Sequence, residues 1–172
     1  MKKIILVGYM GVGKTTIAKL LSQKTGFKVV DTDALIEKQT ELSISDIFKQ
    51  KGEIHFRKLE HEVFKQLIED KEELIISTGG GTPCYAHNHL FLNGDQVVSV
   101  YLYASIDTLF QRLKNENSER PLVAGQSEEE LKEFIAKNLF DRSYFYNQAT
   151  HKVMIDAKTP QEITEEILGL LH

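Results

Sequence analysis

Ile4 to Val7 is a short, uninterrupted apolar run. Gly8 breaks it into a turn, and a helical pattern then runs from about Lys14 to Lys24. Phe27 to Val30 is a second apolar run that stops at Asp31, after which Leu35, Ile36 and Gln39 begin another helical pattern. Beyond Gly52, the positions Phe56, Leu59, Val63, Phe64, Leu67 and Ile68 recur at the spacing of one helix face. The segment from Glu53 is therefore predicted to be an amphipathic helix of several turns. Leu74 to Ser77 and Val97 to Leu102 read as further buried strands. The first runs straight into Thr78, Gly79, Gly80 and Gly81, backbone that a ligand can approach closely because it carries few Cβ atoms. The second leads to Ser105, which can cap a helix from Ile106 to about Lys114. Periodicity then stops, and the polar stretch from Asn115 to Gly125 predicts a mobile surface loop. Helix resumes at Ser127, whose spacing to Glu130 is that of a capping box. Val153 to Ile155 is the fifth strand, and Thr159, Pro160 and Glu162 supply the cap, first-turn proline and reciprocal acid of a terminal helix.

Short apolar strands alternating with helices predict an α/β architecture, a mainly parallel sheet covered by helices on both faces. In such a sheet the ligand site lies beyond the carboxyl ends of the strands, where the Gly8 loop, Asp31 and the Gly79 to Gly81 run all fall. At 172 residues and 41% hydrophobic content the chain suits one domain with a sizeable core, and one site is expected. No stretch approaches bilayer-spanning length, so no membrane association is expected. A formal net charge of -4 implies no broad electropositive face and hence no nucleic acid partner; basic residues should act singly, on small anions. The single cysteine, Cys84, cannot form an internal disulfide, which suits the cytoplasm, and beside Pro83 it reads as a packed turn residue. The six histidines lack metal-ligand spacing, so no zinc site is expected.

The strongest chemical signal is Gly8-Tyr9-Met10-Gly11-Val12-Gly13-Lys14-Thr15, which matches the phosphate-binding P-loop at each defined position and sits between a strand and a helix. Its glycines let backbone N–H groups converge on phosphates, Lys14 reaches the β and γ phosphates, and Thr15 can ligate Mg²⁺. No guanine-reading Asn-Lys-x-Asp stretch and no Asp-x-x-Gly switch occur, so a GTPase reading lacks its supporting motifs. The Leu74 to Ser77 strand ends in glycines rather than the acidic pair of a motor ATPase, and an acceptor site is more natural there. Asp31-Thr32-Asp33 places two carboxylates at a strand end. Asp31 could hold Mg²⁺ and Asp33 an acceptor hydroxyl, or the pair could simply cap a helix with an acidic first turn; the two readings can coexist. Arg57 lies beside the apolar stripe of its helix with Glu60 one turn on. It offers either a carboxylate-gripping fork or an ordinary ion pair.

Together these motifs, with Gly52-Glu53-Ile54-His55-Phe56-Arg57-Lys58-Leu59-Glu60 and Arg120-Pro121-Leu122, resemble the shikimate kinase family in order and approximate spacing over nearly the whole chain. The resemblance implies a P-loop three-layer sandwich with a five-stranded parallel sheet flanked by helices, like that of nucleoside monophosphate kinases. It implies transfer of the γ-phosphoryl of ATP to the 3-hydroxyl of shikimate, with one Mg²⁺ ion, in the route to chorismate and the aromatic amino acids. ATP would be bound by Gly11, Val12, Gly13, Lys14, Thr15, Thr16, Arg112, Arg120 and Pro160, and the metal by Thr15 and Asp31. Shikimate would be bound by Asp33, Arg57, Gly79, Gly80, Gly81 and Arg142, the last in an Arg-x-x-x-Tyr element ending at Tyr146. Lys14, Asp33 and Arg120 would be catalytic. The chain would be one domain, residues 1–172, acting as a monomer on its two small substrates, with an acceptor-binding segment over about 31–62 and a lid over about 115–125. One departure is Ala18, where the family usually has glycine; it touches helix packing more than chemistry.

Overall fold

The computed structural model describes residues 2–116 and 127–171. Five strands, β1 (Lys3–Val7), β2 (Lys28–Asp31), β3 (Leu74–Ser77), β4 (Val97–Tyr103) and β5 (His151–Met154), form one sheet in the order β2-β3-β1-β4-β5. Every neighbouring pair is parallel. Successive side chains of a strand point to opposite faces, yet Ile4, Ile5, Leu6 and Val7 are all fully buried. The sheet is therefore covered on both sides, as continuous apolar strands require.

The covering helices are α1 (Lys14–Thr25), α2 (Thr32–Thr40), α3 (Ile44–Lys51), α4 (Glu53–Glu69), α5 (Ile106–Asn115), α6 (Glu128–Tyr146) and α7 (Pro160–Gly169). Helix α1 packs on α7, α5 on α6, and α2 and α3 on α4. The capping boxes at Ser127 with Glu130 and Thr159 with Glu162 both form, so the starts of α6 and α7 follow from local sequence. Two short 3₁₀ turns, Thr82–Cys84 and Asn88–Leu92, link β3 to β4. Among the described residues no helix is long and apolar enough to cross a membrane.

A strand boundary and an extra helix depart from the sequence reading. Strand β5 runs over His151–Met154 rather than Val153 to Ile155, because His151 and Lys152 pair with Val100 and Tyr101 of β4. The stem of Lys152 makes that polar start tolerable, its ammonium lying 4.2 Å from the centroid of the Tyr103 ring. Helix α3 is additional to the sequence reading. The lid expected over about 115–125, with Arg120, lies outside the described residues from position 117 onward.

Candidate active site

The carboxyl end of β1 feeds directly into the glycine loop and α1. Gly11 and Gly13 take φ values of 87° and 95°, a region that residues with a Cβ rarely enter, and Gly13 caps α1 from that conformation. The Lys14 side chain is buried at the centre of the loop. Its ammonium donates to the carbonyls of Gly8 at 2.7 Å and Tyr9 at 3.0 Å. Thr15, on the exposed start of α1, donates its hydroxyl to Asp31 Oδ2 at 3.4 Å. The other oxygen of Asp31 accepts from the Ala34 N–H at 3.0 Å, so Asp31 caps α2 while also facing Thr15. The helix-cap reading of Asp31 therefore holds, with its second oxygen turned to Thr15.

Two residues further on, Asp33 stands half-buried between Asp31 and Glu60. Burial first, then these two carboxylates, raise its carboxyl from 3.8 to about 6, with the Lys14 ammonium partly offsetting them. Lys14, Thr15, Asp31, Asp33 and Gly79 line one cleft of about 520 Å³, which Arg112 also borders. Arg112 donates to the Gly11 carbonyl at 3.0 Å, placing its guanidinium against the outer side of the phosphate loop.

The glycine triplet after β3 is where the cleft meets Asp33, Arg142 and Arg57. None of the three has positive φ; space, not torsion, excludes a side chain. A Cβ on Gly79 would lie 2.8 Å from Asp33 Oδ1, and one on Gly81 would lie 2.8 Å from Arg57 Nη1. A Cβ on Gly80 would fall 3.4 Å from Arg142 Nη1 and 3.5 Å from the Met10 N–H of the phosphate loop. Three consecutive glycines therefore lie against one carboxylate and two guanidinium groups that come from three different helices.

Arg57 is held from several directions. It donates to Glu60 Oε1 at 3.0 Å, has Glu53 Oε1 at 3.6 Å from Nε, and stacks with the Tyr85 ring centroid 3.8 Å from Cζ. Glu60 is fully buried, and its second oxygen accepts from the Thr82 hydroxyl at 2.9 Å. Arg142 lies over the Tyr9 ring, and the Tyr146 hydroxyl donates to the Gly80 carbonyl. Burial pushes the Tyr146 hydroxyl well above its ordinary range, so it stays a donor. Cys84, between the two arginines, is pushed up to about 11 by burial, which keeps it a packed thiol rather than a nucleophile.

Most of the expected site residues thus converge. Pro160 stands exposed in the first turn of α7 and is not among the residues lining the cleft, and Arg120 lies outside the described residues. Val12 and Thr16 flank the loop, the first buried and the second exposed. Tyr85 and Thr82 are contacts that sequence reasoning does not supply. They follow the triplet closely, but no periodicity or motif marks them.

A family model described as shikimate kinase matches residues 10–172. A shikimate kinase of Flavobacterium johnsoniae is 58% identical over 171 residues, covering 99% of both chains. The crystal structure of shikimate kinase from Bacteroides thetaiotaomicron superposes with a TM-score of 0.90 at 34% identity, covering 98% of this chain and 97% of that one. Shikimate kinase from Acinetobacter baumannii, solved in complex with shikimate, superposes with a TM-score of 0.87 at 31% identity, covering 99% and 93%. With a P-loop at one end of the cleft, arginines at the other and these likenesses over its whole length, the chain belongs to the shikimate kinase family.

Proposed function

We propose that the cleft divides the labour of ATP-dependent shikimate phosphorylation between its two ends, with nucleotide at the Gly8 loop and acceptor at the Gly79 to Gly81 loop. As a shikimate kinase, the chain transfers the γ-phosphoryl of ATP to the 3-hydroxyl of shikimate. The observation that carries the residue assignment is the triplet itself, since Asp33, Arg142 and Arg57 lie along three successive glycines beside the Met10 N–H. Arg57 and Arg142 are assigned to the acceptor carboxylate, for which two guanidinium groups give geometry as well as charge. Asp33 is assigned to the acceptor hydroxyl.

Transfer passes through a loose transition state, so positioning and charge neutralisation matter more than base strength. The hydroxyl oxygen bonds to the γ-phosphorus as the bond to the β,γ-bridging oxygen breaks. Its proton passes late to the Asp33 carboxylate, and ADP leaves. Lys14 stabilises the charge that accumulates on the phosphoryl oxygens, exchanging its loop carbonyls for phosphate oxygens as nucleotide enters. The Thr15 hydroxyl and Asp31 carboxylate, 3.4 Å apart at the cleft wall, are hard oxygen donors of the kind Mg²⁺ takes, and they are assigned to hold it. Bound with the nucleotide, the ion would neutralise the β and γ oxygens.

Arg112 and Pro160 are assigned to the nucleotide's outer edge, and Arg120, on family resemblance, to the transferring phosphoryl. The acceptor segment of about 31–62 then corresponds to α2, α3 and most of α4, with a lid over about 115–125, in a single domain. We also infer a cytoplasmic monomer.

ADP release dependent on shikimate, and not on other small hydroxyl acceptors, tests the substrate. Arg57→Ala tests the acceptor end: shikimate affinity should fall by roughly 2 to 4 kcal/mol with ATP affinity retained. An unchanged shikimate KM in that variant would refute the assignment.

A further inference from the structure

Behind the acceptor loop, the chain makes a turn from Tyr85 to Asn88, closed by the Asn88 N–H donating to the Tyr85 carbonyl at 3.0 Å. Its central residues, Ala86 and His87, have φ values of 50° and 57°. Two consecutive left-handed residues with Cβ atoms are uncommon, and they persist where surrounding contacts over-determine them. What this turn achieves is to drive Asn88 into the interior, where its exposure is 0%.

The buried carboxamide is satisfied at both ends. Nδ2 donates to the Thr82 carbonyl at 2.9 Å, and Oδ1 accepts from His61 Nδ1 at 2.6 Å. That orientation requires the proton to be on Nδ1, and the His61 ring sits 5.9 Å from the Phe91 ring. Thr82 is also fully buried. It donates its hydroxyl to Glu60 and its N–H to the Gly79 carbonyl at 3.1 Å. The result is a chain of polar contacts, His61 to Asn88 to Thr82 to Glu60 to Arg57, whose two ends both lie on α4. Thr82, the member contributed by the loop, is the residue immediately after the glycine triplet.

We propose that Asn88 is a positioning residue for the acceptor, fixing the distance between the Gly79 to Gly81 loop and the α4 face that presents Arg57. The inference rests on the acceptor-site reading above. Without the carboxamide, the Thr82 carbonyl and His61 lose their shared partner, and Glu60 keeps only a loosened hold on Thr82. Arg57 then no longer meets the substrate carboxylate at the spacing set by the loop. None of these four hydrogen bonds engages a phosphate-loop atom, so nucleotide binding should change little.

The test is steady-state kinetics on the full chain. Asn88→Ala should raise the shikimate KM roughly ten-fold and leave the ATP KM within about two-fold. His61→Phe keeps the ring against Phe91 but removes the donor to Asn88, and should raise the shikimate KM roughly three-fold; it decides the matter if Asn88→Ala does not fold. In an Arg57→Ala background, Asn88→Ala should add less than about two-fold, because it acts through Arg57. The proposal is overturned if shikimate and ATP KM rise together, or if the shikimate KM is unmoved. It is equally overturned if the full factor persists without Arg57. If Arg57→Ala alone leaves the shikimate KM unchanged, the acceptor reading itself fails, and the proposal falls with it.

Discussion

Replacing Asp33 by asparagine should make the protein more stable and much less active. Its carboxyl is held at about 6 instead of 3.8, by burial and by the nearby Asp31 and Glu60 carboxylates. An acid whose pKa is raised by folding holds its proton more tightly in the folded state, so ionising it works against the fold. The penalty is absent below the unfolded value near 3.8, grows as pH rises towards 6, and is constant above that. The difference between about 6 and 3.8, at about 1.36 kcal/mol per pH unit, amounts to about 3 kcal/mol at neutral pH. An amide carries no charge but needs its own partners, so about 1 to 3 kcal/mol of this should be recovered. For a domain of this size that is a rise in Tm of about 2 to 10 °C. At about pH 4.5 the wild-type penalty shrinks to about 1 kcal/mol, and the advantage of the variant should shrink with it. The chain has no tryptophan, so calorimetry or circular dichroism is the appropriate probe. Turnover should meanwhile fall at least about a hundred-fold, since the acceptor hydroxyl loses its orienting carboxylate and proton acceptor. Asp33→Asn proving no more stable at neutral pH, or equally stabilised at both pH values, would show that the carboxylate is not under electrostatic stress.

The same carboxyl should set the acidic limb of the rate profile: kcat/KM for shikimate should fall through about pH 6 as Asp33 gains its proton and be level above it, and a profile flat down to about pH 5 would contradict this. Gly81→Ala places a Cβ 2.8 Å from Arg57 Nη1, and Glu60 and Tyr85 leave that guanidinium little room to retreat. Shikimate binding, measured by calorimetry, should weaken at least about ten-fold with ATP binding intact. Tyr85→Leu removes the ring stacked on Arg57 and should cost about 0.5 to 2 kcal/mol of shikimate affinity, an effect absent when Arg57 is already alanine. Arg120→Ala, at the position assigned to the transferring phosphoryl, should lower kcat more than either KM; an equal loss of ATP affinity would make it a ground-state ligand instead.

The parts of this fold legible in the sequence are those whose cause is local. The phosphate loop declares itself because its glycines, Lys14 and Thr15 are contiguous, and α6 and α7 because Ser127 and Thr159 carry their capping partners three residues on. Helix α3 is harder to see: Ser43 caps it and Ile44, Ile47 and Phe48 share a face, but eight residues give barely two turns over which a period can repeat. Lys3 looks like a polar flank to the first strand, yet it is buried within β1. Its ammonium reaches the carbonyls of Asp70 and Glu72, partners 67 and 69 residues away along the chain. Tyr85, Thr82 and Asn88 belong to the same class. Each has its role only through a partner on α4, so no window along the chain contains the signal.

The site residues differ in what specifies them. Gly11 and Gly13 are demanded by backbone torsion, which a short sequence motif encodes. Gly79, Gly80 and Gly81 are demanded by the side chains laid against them, and those arrive from α2, α6 and α4. A triplet of glycines after a buried strand therefore announces a close approach without saying what approaches. The carboxylates complete the picture from the opposite direction. Asp31, Asp33 and Glu60 stand close enough to raise Asp33, while Lys14 and Arg57 are partly engaged by Gly8, Tyr9 and Glu60. A core built for stability alone would separate those acids, because the repulsion is a cost that folding must offset elsewhere. It persists where an acid must accept a proton near neutral pH beside a group that attracts cations. On the proposed assignment, those are the two tasks that phosphoryl transfer to a hydroxyl sets at this end of the sheet.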